Sequence, residues 1–367
     1  MAQQSVIGQP KEALDTPALL VDLDILEGNI ARMARTIIHE AGVQWRPHIK
    51  GIKTPALAHM LLEAGALGMT CAKLGEAEVM AAAGIRDLLV ANQIVGPQKI
   101  ARLVNLRRHA DVAVAVDSFE NALALDRAAL AKGVQLRVVI EVDTGMQRAG
   151  VAPGEATVAL ARQLAGLEAV RFCGVMTWES PALRVKDLGE RQQLIAGLLG
   201  QLTDTAQQCR DAGLPVAMVS CGGTGTYWLS AFHPGVTEIQ AGGGIFNDLV
   251  YCRQLGLDHP FALTVLSTVT SRPTPTRIIC DAGKKTMSGD SALPEAVGLP
   301  QVVSLGLSAE HGKLELAAPS AMPRLGDLIE FVPGCVDTTV VLHDELYGIR
   351  HGIVETVWPL LARGRLQ

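Results

Sequence analysis

The chain alternates, from residue 24 to about residue 245, between amphipathic segments of helical length and short apolar runs. The apolar runs are nearly continuous, as is typical of parallel strands that are buried on both faces. Each run predicts a strand, and the eight strands are residues 43–47, 68–72, 87–91, 112–116, 136–142, 170–175, 217–220 and 237–240. Such regular alternation favours a closed parallel barrel, a TIM-like (β/α)8 fold, over an open sheet.

The amphipathic segments predict a helix before each strand. These helices are residues 24–38, 56–64, 75–83, 98–108, 120–132, 155–165 and 188–212, with a short helix near Tyr227. A helix therefore comes first, which departs from the usual order of such barrels. The apolar run at residues 17–22 precedes this helix, and we expect it to be a strand of another sheet.

The helical periodicity fades after about residue 260. Runs that are rich in β-branched residues and broken by glycine and proline predict strands at residues 263–269, 277–280 and 338–341. We therefore predict an α/β chain with two domains. The (β/α)8 barrel spans residues 24–250, and residues 1–23 plus 251–367 form an all-β domain that includes the N-terminal strand.

Composition excludes several classes of protein. Hydrophobic residues make up 49% of the 367 residues and charged residues 19%, which is typical of a globular protein. The net charge of −5 and the lack of a basic stripe argue against nucleic-acid binding. No apolar run reaches about 18 residues, so no membrane-spanning helix is predicted. The polar residues 1–11 do not resemble a secretory signal, and the seven scattered cysteines favour a reduced, cytoplasmic protein with free thiols.

The first predicted strand ends in a candidate nucleophile. Active residues of a (β/α)8 barrel lie at the C-terminal ends of its strands. Residues 46–50 read Arg-Pro-His-Ile-Lys, which places Lys50 at the mouth of the barrel. Desolvation there makes the lysine amine a nucleophile for an aldehyde. The alternatives are that Lys50 is a surface residue or that Lys53 takes the role.

The fifth predicted strand is followed by a candidate binding arginine. Residues 143–150 read Asp-Thr-Gly-Met-Gln-Arg-Ala-Gly. If Arg148 is held at the top of the barrel, its guanidinium is suited to hydrogen-bond a ring nitrogen or a carboxylate. The alternative is a structural ion pair between Arg148 and Asp143.

Glycine-rich turns follow the last two predicted strands. Residues 220–226 read Ser-Cys-Gly-Gly-Thr-Gly-Thr, and residues 241–244 read Ala-Gly-Gly-Gly. Glycines let backbone amides approach an anion, threonines add hydroxyls, and a helix N-terminus favours negative charge. Phosphate sites of barrels often lie after strands seven and eight. Around a closed barrel these turns are next to Lys50, and pyridoxal 5'-phosphate (PLP) would bridge the lysine and the turns.

These segments resemble the D-threonine aldolase and D-serine dehydratase family, which belongs to the alanine racemase-like, fold-type III PLP enzymes. The resemblance extends over nearly the whole chain, through residues 46–50, 141–150, 222–226, 281–285, 307–312 and 342–344. It implies a PLP barrel with a β domain, a homodimer, and a small-molecule amino acid as the substrate.

The resemblance also implies roles for individual residues. Lys50 would carry PLP as a Schiff base, and Arg148 would face the pyridine nitrogen and keep it largely unprotonated, which weakens the ring as an electron sink. The residues that match the family's phosphate-binding positions are Gly222, Gly223, Thr224, Gly225, Thr226, Gly242 and Gly243.

The family implies a divalent metal, Mn²⁺, Mg²⁺ or Zn²⁺, bound by a Pro-x-His-x-Asp or Pro-x-His-x-Cys stretch. Residues 333–337 read Pro-Gly-Cys-Val-Asp, so Cys335 stands where a histidine is expected. On a strand, Cys335 and Asp337 would face the same side and form a two-ligand site that suits zinc. The alternative is that the metal site is lost.

The catalytic base is a second departure from the family. After the sixth strand the aldolases have a Gly-His pair, whereas residues 177–181 read Thr-Trp-Glu-Ser-Pro. The candidate bases are therefore Glu179 from the barrel, and His311 or His343 from the β domain.

The function that the resemblance implies is a PLP-dependent lyase that cleaves D-3-hydroxy amino acids to glycine and an aldehyde by a retro-aldol reaction. Dehydration of such amino acids to a keto acid and ammonia is the first alternative, and racemisation is the second. None of the three tyrosines, Tyr227, Tyr251 and Tyr347, lies in a motif known for a racemase base. A non-catalytic PLP carrier is the third alternative, although such carriers lack a β domain.

Overall fold

The computed structural model describes residues 6–367, so residues 1–5 of the predicted β domain and of the polar N-terminal segment lie outside the described residues. The chain forms two compact units. The barrel unit consists of Arg32–Lys50, Pro55–Gly242 and Gly364–Gln367, and the β unit consists of the residues up to Ala31 together with Gly51–Thr54 and Gly243–Arg363. The domain boundaries at residues 24 and 250 stay a prediction.

The strands follow the predicted order. Strand β1 (Ala18–Asp22) comes first and belongs to the β unit. The barrel strands are β2 (Gln44–Trp45), β3 (Met69–Cys71), β4 (Asp87–Gln93), β5 (Asp111–Val116), β6 (Leu136–Glu141), β7 (Val170–Met176), β8 (Met218–Cys221) and β9 (Glu238–Ile239). The remaining strands are β10 (Leu263–Thr274), β11 (Arg277–Cys280), β12 (Glu295–Ala296), β13 (Val302–Leu307), β14 (Gly312–Leu316), β15 (Leu328–Val332), β16 (Glu345–Arg350) and β17 (Ile353–Pro359).

The eight barrel strands are all parallel and form one sheet in the order β2-β9-β8-β7-β6-β5-β4-β3. A parallel bridge between His48 and Thr70 joins the chain after β2 to β3, and the Thr70 amide donates to the Pro47 carbonyl over 2.9 Å. The sheet therefore closes on itself. The predicted TIM-like barrel of eight parallel strands is confirmed.

Side chains from successive barrel strands fill the interior of the barrel unit. One buried cluster joins Leu89 of β4, Ala113 of β5, Val139 of β6, Met176 of β7 and Met218 of β8. Strands of such a barrel are buried on both faces, which explains why they appear as nearly continuous apolar runs in the sequence.

Helices separate the strands as predicted. They are α1 (Leu23–Ala34), α2 (Pro55–Glu63), α3 (Leu74–Ala82), α4 (Pro97–Leu106), α5 (Phe119–Leu130), α6 (Glu155–Ala165), α7 (Leu188–Asp211), α8 (Tyr227–Ser230) and α9 (Val336–Thr339). Side-chain caps fix where α5 and α7 begin, because Ser118 accepts the Asn121 amide and Asp187 accepts the Glu190 amide. Within residues 6–367, no helix combines the length and the apolar character needed to cross a membrane.

The β unit contains a nine-stranded sheet in which β13-β14-β11-β10-β1-β16-β17 form the main path and β15 pairs with β10 and β12. Strand β1 pairs antiparallel with β10 and parallel with β16. A buried cluster of Ala18, Leu20, Leu266, Ile349 and Val354 holds these strands together. The expectation that the N-terminal strand joins the β domain is confirmed.

The predicted strand at residues 338–341 is wrong, because this segment is helical. It forms α9 and a following 3-10 helix, Val340–Leu342. The Val336 amide donates to the carboxylate of Asp248 over 2.8 Å, and the buried Thr339 hydroxyl accepts the Ser288 amide over 3.3 Å. These tertiary contacts override the strand preference of the β-branched residues.

Candidate active site

Closure of the barrel brings the chain after β2 against the chain after β9. The His48 amide donates to the Gln240 carbonyl over 2.9 Å. A Cβ atom placed on Gly242 would lie 2.1 Å from the His48 carbonyl oxygen, so only glycine permits this approach. Lys50 follows His48 in a 3-10 helix, Ile49–Gly51, and is partly exposed. The lysine therefore lies near the second glycine-rich turn, as the closed barrel predicts.

The indole of Trp178, which follows β7, contacts three of the predicted site residues. Lys50 Nζ lies 5.4 Å from the centroid of the ring, and Arg148 Cζ lies 5.6 Å from it. A Cβ atom placed on Gly223 would lie 2.8 Å from Trp178 Nε1. The structure thus brings Lys50, Arg148 and the first glycine-rich turn together around one aromatic ring. Trp178 was not among the predicted site residues, because a histidine was the residue expected within residues 177–181. An aromatic residue directly after a barrel strand was nevertheless a usable signal.

Arg148 is positioned by a loop and by a carboxylate. The Asp143 carboxylate accepts the amides of Gly145 and Gln147 over 2.9 and 3.0 Å, and these hydrogen bonds, above all that from Gln147, lower the pKa of Asp143. Arg148 Nη2 lies 3.2 Å from Glu141 Oε1 at the end of β6. The alternative prediction, an ion pair with Asp143, is therefore wrong, because Asp143 is turned to the loop backbone.

The turn after β8 is held by its own hydrogen bonds. The Gly223 amide donates to Thr226 Oγ1 over 3.0 Å, and the Gly223 carbonyl accepts the amides of Thr226 and Tyr227. Within residues 6–367, the buried backbone N–H groups of Thr224 and Gly225 donate to no group of the chain. Buried amides are rarely left in this state, so the pair is suited to an anion. The helix that follows, α8, has only 4 residues, and the predicted helix N-terminus adds nothing to this site.

Glu179 lies directly beneath this turn and is completely buried. Its Oε2 accepts the Gly222 amide over 3.2 Å, and its Oε1 accepts the hydroxyl of Thr226 over 2.6 Å and that of Ser230. Both carboxylate oxygens are therefore engaged by the glycine-rich turn. This arrangement favours a supporting role for Glu179 over the role of a base.

The two candidate histidines belong to the β unit. His311 is exposed in the turn between β13 and β14, and its backbone packs against Gly283, where a Cβ atom would lie 2.5 Å from the His311 amide nitrogen. A ring nitrogen of His343 lies 2.9 Å from the Thr286 carbonyl, and burial lowers the pKa of this histidine. The ring contact indicates a structural role for His343, whereas the catalytic role of His311 stays a prediction.

The predicted metal ligands do not share the face of a strand. Cys335 is the residue before α9, and Asp337 lies in its first turn, where residues two apart do not face each other. Asp337 Oδ1 packs on the backbone of Gly51, since a Cβ atom there would lie 2.4 Å away. Among the described residues, no group of three or more His, Cys, Asp or Glu side chains is arranged to hold a metal ion. The strand geometry on which the two-ligand prediction depended is therefore wrong.

Comparisons with known proteins identify the family of the chain. Residues 21–249 match the family described as alanine racemase, N-terminal domain, and residues 262–349 match a putative serine dehydratase domain. The chain is similar to a D-threonine aldolase of Arthrobacter sp, with 35% identity over 361 residues that cover 97% of this chain and 95% of that protein.

Two further proteins are similar over nearly their full length. A 3-hydroxy-D-aspartate aldolase of Paracoccus denitrificans is 33% identical over 370 residues, which cover 98% of this chain and 94% of that protein. The crystal structure of D-threonine aldolase from Filomicrobium marinum superposes with a TM-score of 0.93 at 34% identity, and covers 98% of this chain and 99% of that chain.

Proposed function

Because the chain belongs to the family of PLP enzymes that has the alanine racemase N-terminal domain as its barrel and includes the D-threonine aldolases, we propose that it is a PLP-dependent lyase that cleaves D-3-hydroxy amino acids to glycine and an aldehyde. The observation that carries this proposal is the arrangement of Lys50, Arg148 and Gly223 around the ring of Trp178. These residues come from four different barrel strand ends, where catalytic groups of such barrels lie.

The residues fit PLP. Lys50 would hold the cofactor covalently, and the amides of Thr224 and Gly225, which have no acceptor among residues 6–367, would hold its phosphate with the glycines of both turns. A side chain at Gly223 or Gly242 would fill this space, because a Cβ atom would lie 2.8 Å from Trp178 Nε1 or 2.1 Å from the His48 carbonyl oxygen. When bound, PLP supplies an electron sink for the charge that develops at the substrate Cα.

The chain's own groups orient this chemistry. Glu141 accepts hydrogen bonds from Gln93 Nε2 over 2.7 Å and from Arg148, and so holds the Arg148 guanidinium at the mouth of the barrel. A guanidinium stays charged, so Arg148 would donate to a ring nitrogen of the bound cofactor without giving up its proton. For the proton of the β-hydroxyl we propose His311, because the carboxylate of Glu179 is engaged by the glycine-rich turn.

Arg148 provides a direct prediction. We expect Arg148→Ala to weaken PLP binding about tenfold, because a hydrogen bond from a charged group contributes roughly 1.5–3 kcal/mol. The measurement is a titration of the cofactor-free protein with PLP. Arg127→Ala, on the exposed face of α5, is the matched control, since it removes the same charge away from the site. Equal affinities of the two variants would rule out the contact of Arg148 with the cofactor.

A divalent metal does not fit the residues present, so we derive no step from one. Cys335 and Asp337 do not face each other, and burial raises the pKa of the Cys335 thiol, which disfavours the thiolate that binds metals. We expect dialysis against EDTA to leave the initial rate within about twofold of its starting value. A loss of about tenfold or more that Mn²⁺ or Zn²⁺ restores, and that Cys335→Ser abolishes, would instead establish the metal site.

Dehydration is the second candidate function, since residues 262–349 match a putative serine dehydratase domain. In that reaction Lys50 removes the α-proton, and the products are a keto acid and ammonia. Racemisation is less favoured, because none of the tyrosines lies in a motif known for a racemase base. Burial also raises the pKa of Tyr227 and of Tyr347 to about 12, which keeps both phenols protonated near neutral pH. A non-catalytic PLP carrier is disfavoured by the presence of the β unit.

Product analysis separates these reactions. The PLP-loaded protein is incubated with D-threonine, and glycine, acetaldehyde, 2-oxobutanoate and L-threonine are quantified together. We expect equal amounts of glycine and acetaldehyde. Predominant 2-oxobutanoate would make the protein a dehydratase, and L-threonine would make it a racemase. If the PLP-loaded protein turned over no D-3-hydroxy amino acid, a non-catalytic PLP carrier would be the remaining function.

We also propose a homodimer in the cytoplasm. Within residues 6–367 the seven cysteines form no disulfide bond, which supports a reducing compartment. The dimer is implied by the family resemblance, and sedimentation at several protein concentrations tests it.

A further inference from the structure

We propose that Glu179 is a positioning residue that holds the turn at residues 222–226 in its phosphate-binding conformation, an inference that rests on the proposed use of PLP. The carboxylate is completely buried and follows β7, whereas the turn follows β8, so it reaches across two neighbouring barrel strands.

The hydrogen bonds divide the amides of the turn into two groups. Gly222 donates to Glu179, and Gly223 donates to Thr226 Oγ1, whose own proton is given to Glu179 over 2.6 Å. Glu179 therefore fixes the first amide directly and the second through the Thr226 hydroxyl. The amides that remain for an anion are those of Thr224 and Gly225.

A carboxylate is the group that suits this position. It has two acceptor oxygens and no donor, so it satisfies one amide and two hydroxyls at once. The amide of a glutamine would turn an N–H group toward one of these donors. The left-handed backbone of Gly222, with φ +82°, is the conformation that the bond to Glu179 holds. Glu179 is thus expected to stabilise the turn although its negative charge repels a phosphate.

The proposal makes a prediction that a purely structural role does not make. If Glu179 acts through the phosphate turn, Glu179→Gln weakens the binding of PLP but not of pyridoxal, which lacks the phosphate. We expect the Kd for PLP to rise about tenfold or more, since a buried donor loses its acceptor, whereas the Kd for pyridoxal stays within about twofold. Both constants are measured by calorimetric titration of the cofactor-free protein.

The matched control is Asp126→Asn. Asp126 is also a buried carboxylate, and its Oδ1 accepts the amides of Ala169 and Val170 at the start of β7, over 2.6 and 3.1 Å. We expect this variant to lower Tm without changing the ratio of the two dissociation constants. Ser230→Ala, which removes one hydroxyl donor to Glu179, serves if Glu179→Gln does not fold, and we expect it to raise the Kd for PLP alone.

The dissociation constants of PLP and pyridoxal decide whether Glu179 positions the phosphate turn. Equal weakening of PLP and pyridoxal in Glu179→Gln would overturn the proposal in favour of a general structural role. An unchanged or lower Kd for PLP in Glu179→Gln would also overturn the proposal. The repulsion between the Glu179 carboxylate and the phosphate would then equal or exceed the benefit of holding the turn. If the wild-type protein itself binds PLP no more tightly than pyridoxal, the phosphate site of the proposed function fails, and this is distinguishable from a failure of Glu179 alone.

Discussion

Lys50→Ala is expected to abolish the covalent attachment of PLP and to lower kcat by about 10²-fold or more, because the cofactor then loses the bond that positions it. The Lys50 amine lies 5.4 Å from the centroid of the Trp178 ring, which is also next to Arg148 and Gly223. The absorbance of the loaded protein and the rate with D-threonine, both compared with wild type, measure the effect.

The matched control is Lys53→Arg. Lys53 was the competing candidate in the sequence, and it is buried in the β unit with a left-handed backbone, φ 59°. Arginine keeps the charge at this position but does not form the bond to an aldehyde. We expect this variant to retain the cofactor. If Lys53→Arg loses it and Lys50→Ala keeps it, the assignment of the two lysines is reversed.

Gly242→Ala is expected to destabilise the protein and to weaken PLP binding together. The new Cβ atom would lie 2.1 Å from the carbonyl oxygen and 2.8 Å from the amide nitrogen of His48, and both are backbone atoms that a side-chain rotation does not move. Overpacking of this kind costs about 1–3 kcal/mol or more. The displaced segment leads into Lys50, so we also expect the Kd for PLP to rise about tenfold. Thermal unfolding and PLP titration are the two measurements.

Gly197→Ala is the control for this substitution. Gly197 lies within α7 and has no atom within 4 Å of the position of a Cβ, so alanine is expected to stabilise the helix by about 1 kcal/mol. Affinity for PLP should not change. A Gly242→Ala variant that unfolds and binds PLP like wild type would show that the segments after β2 and β9 separate without cost.

Much of the fold was predictable from the sequence because hydrophobic periodicity records burial. The apolar runs predicted all eight barrel strands. Because the barrel pattern begins with a helix, the apolar run before it was predicted to belong to another sheet, and β1 does so. The predicted fold and family, and the class of enzyme, a PLP-dependent lyase, are confirmed. Residues 338–341 were assigned wrongly because β-branched residues in a short helix are held by contacts with Asp248 and Ser288, which are distant in the sequence.

The site was less predictable, because it depends on which side chains meet in space. Arg148 contacts Glu141 and not Asp143, a choice set by the loop backbone that Asp143 binds. Trp178 belongs to no motif that was recognised in the sequence, yet its ring lies against three predicted site residues. Glu179 accepts hydrogen bonds from three donors because β7 lies next to β8 in the barrel. The sequence pattern does not show which donors meet this carboxylate.

The proposed function depends above all on Lys50 as the residue that carries PLP, after the end of β2. Borohydride reduction of the PLP-loaded protein, followed by digestion and mass analysis of the labelled peptide, tests this attachment. We expect one phosphopyridoxyl group per chain, on Lys50. A label on Lys53 or on another lysine, or no label in a protein that still releases glycine from D-threonine, would contradict it.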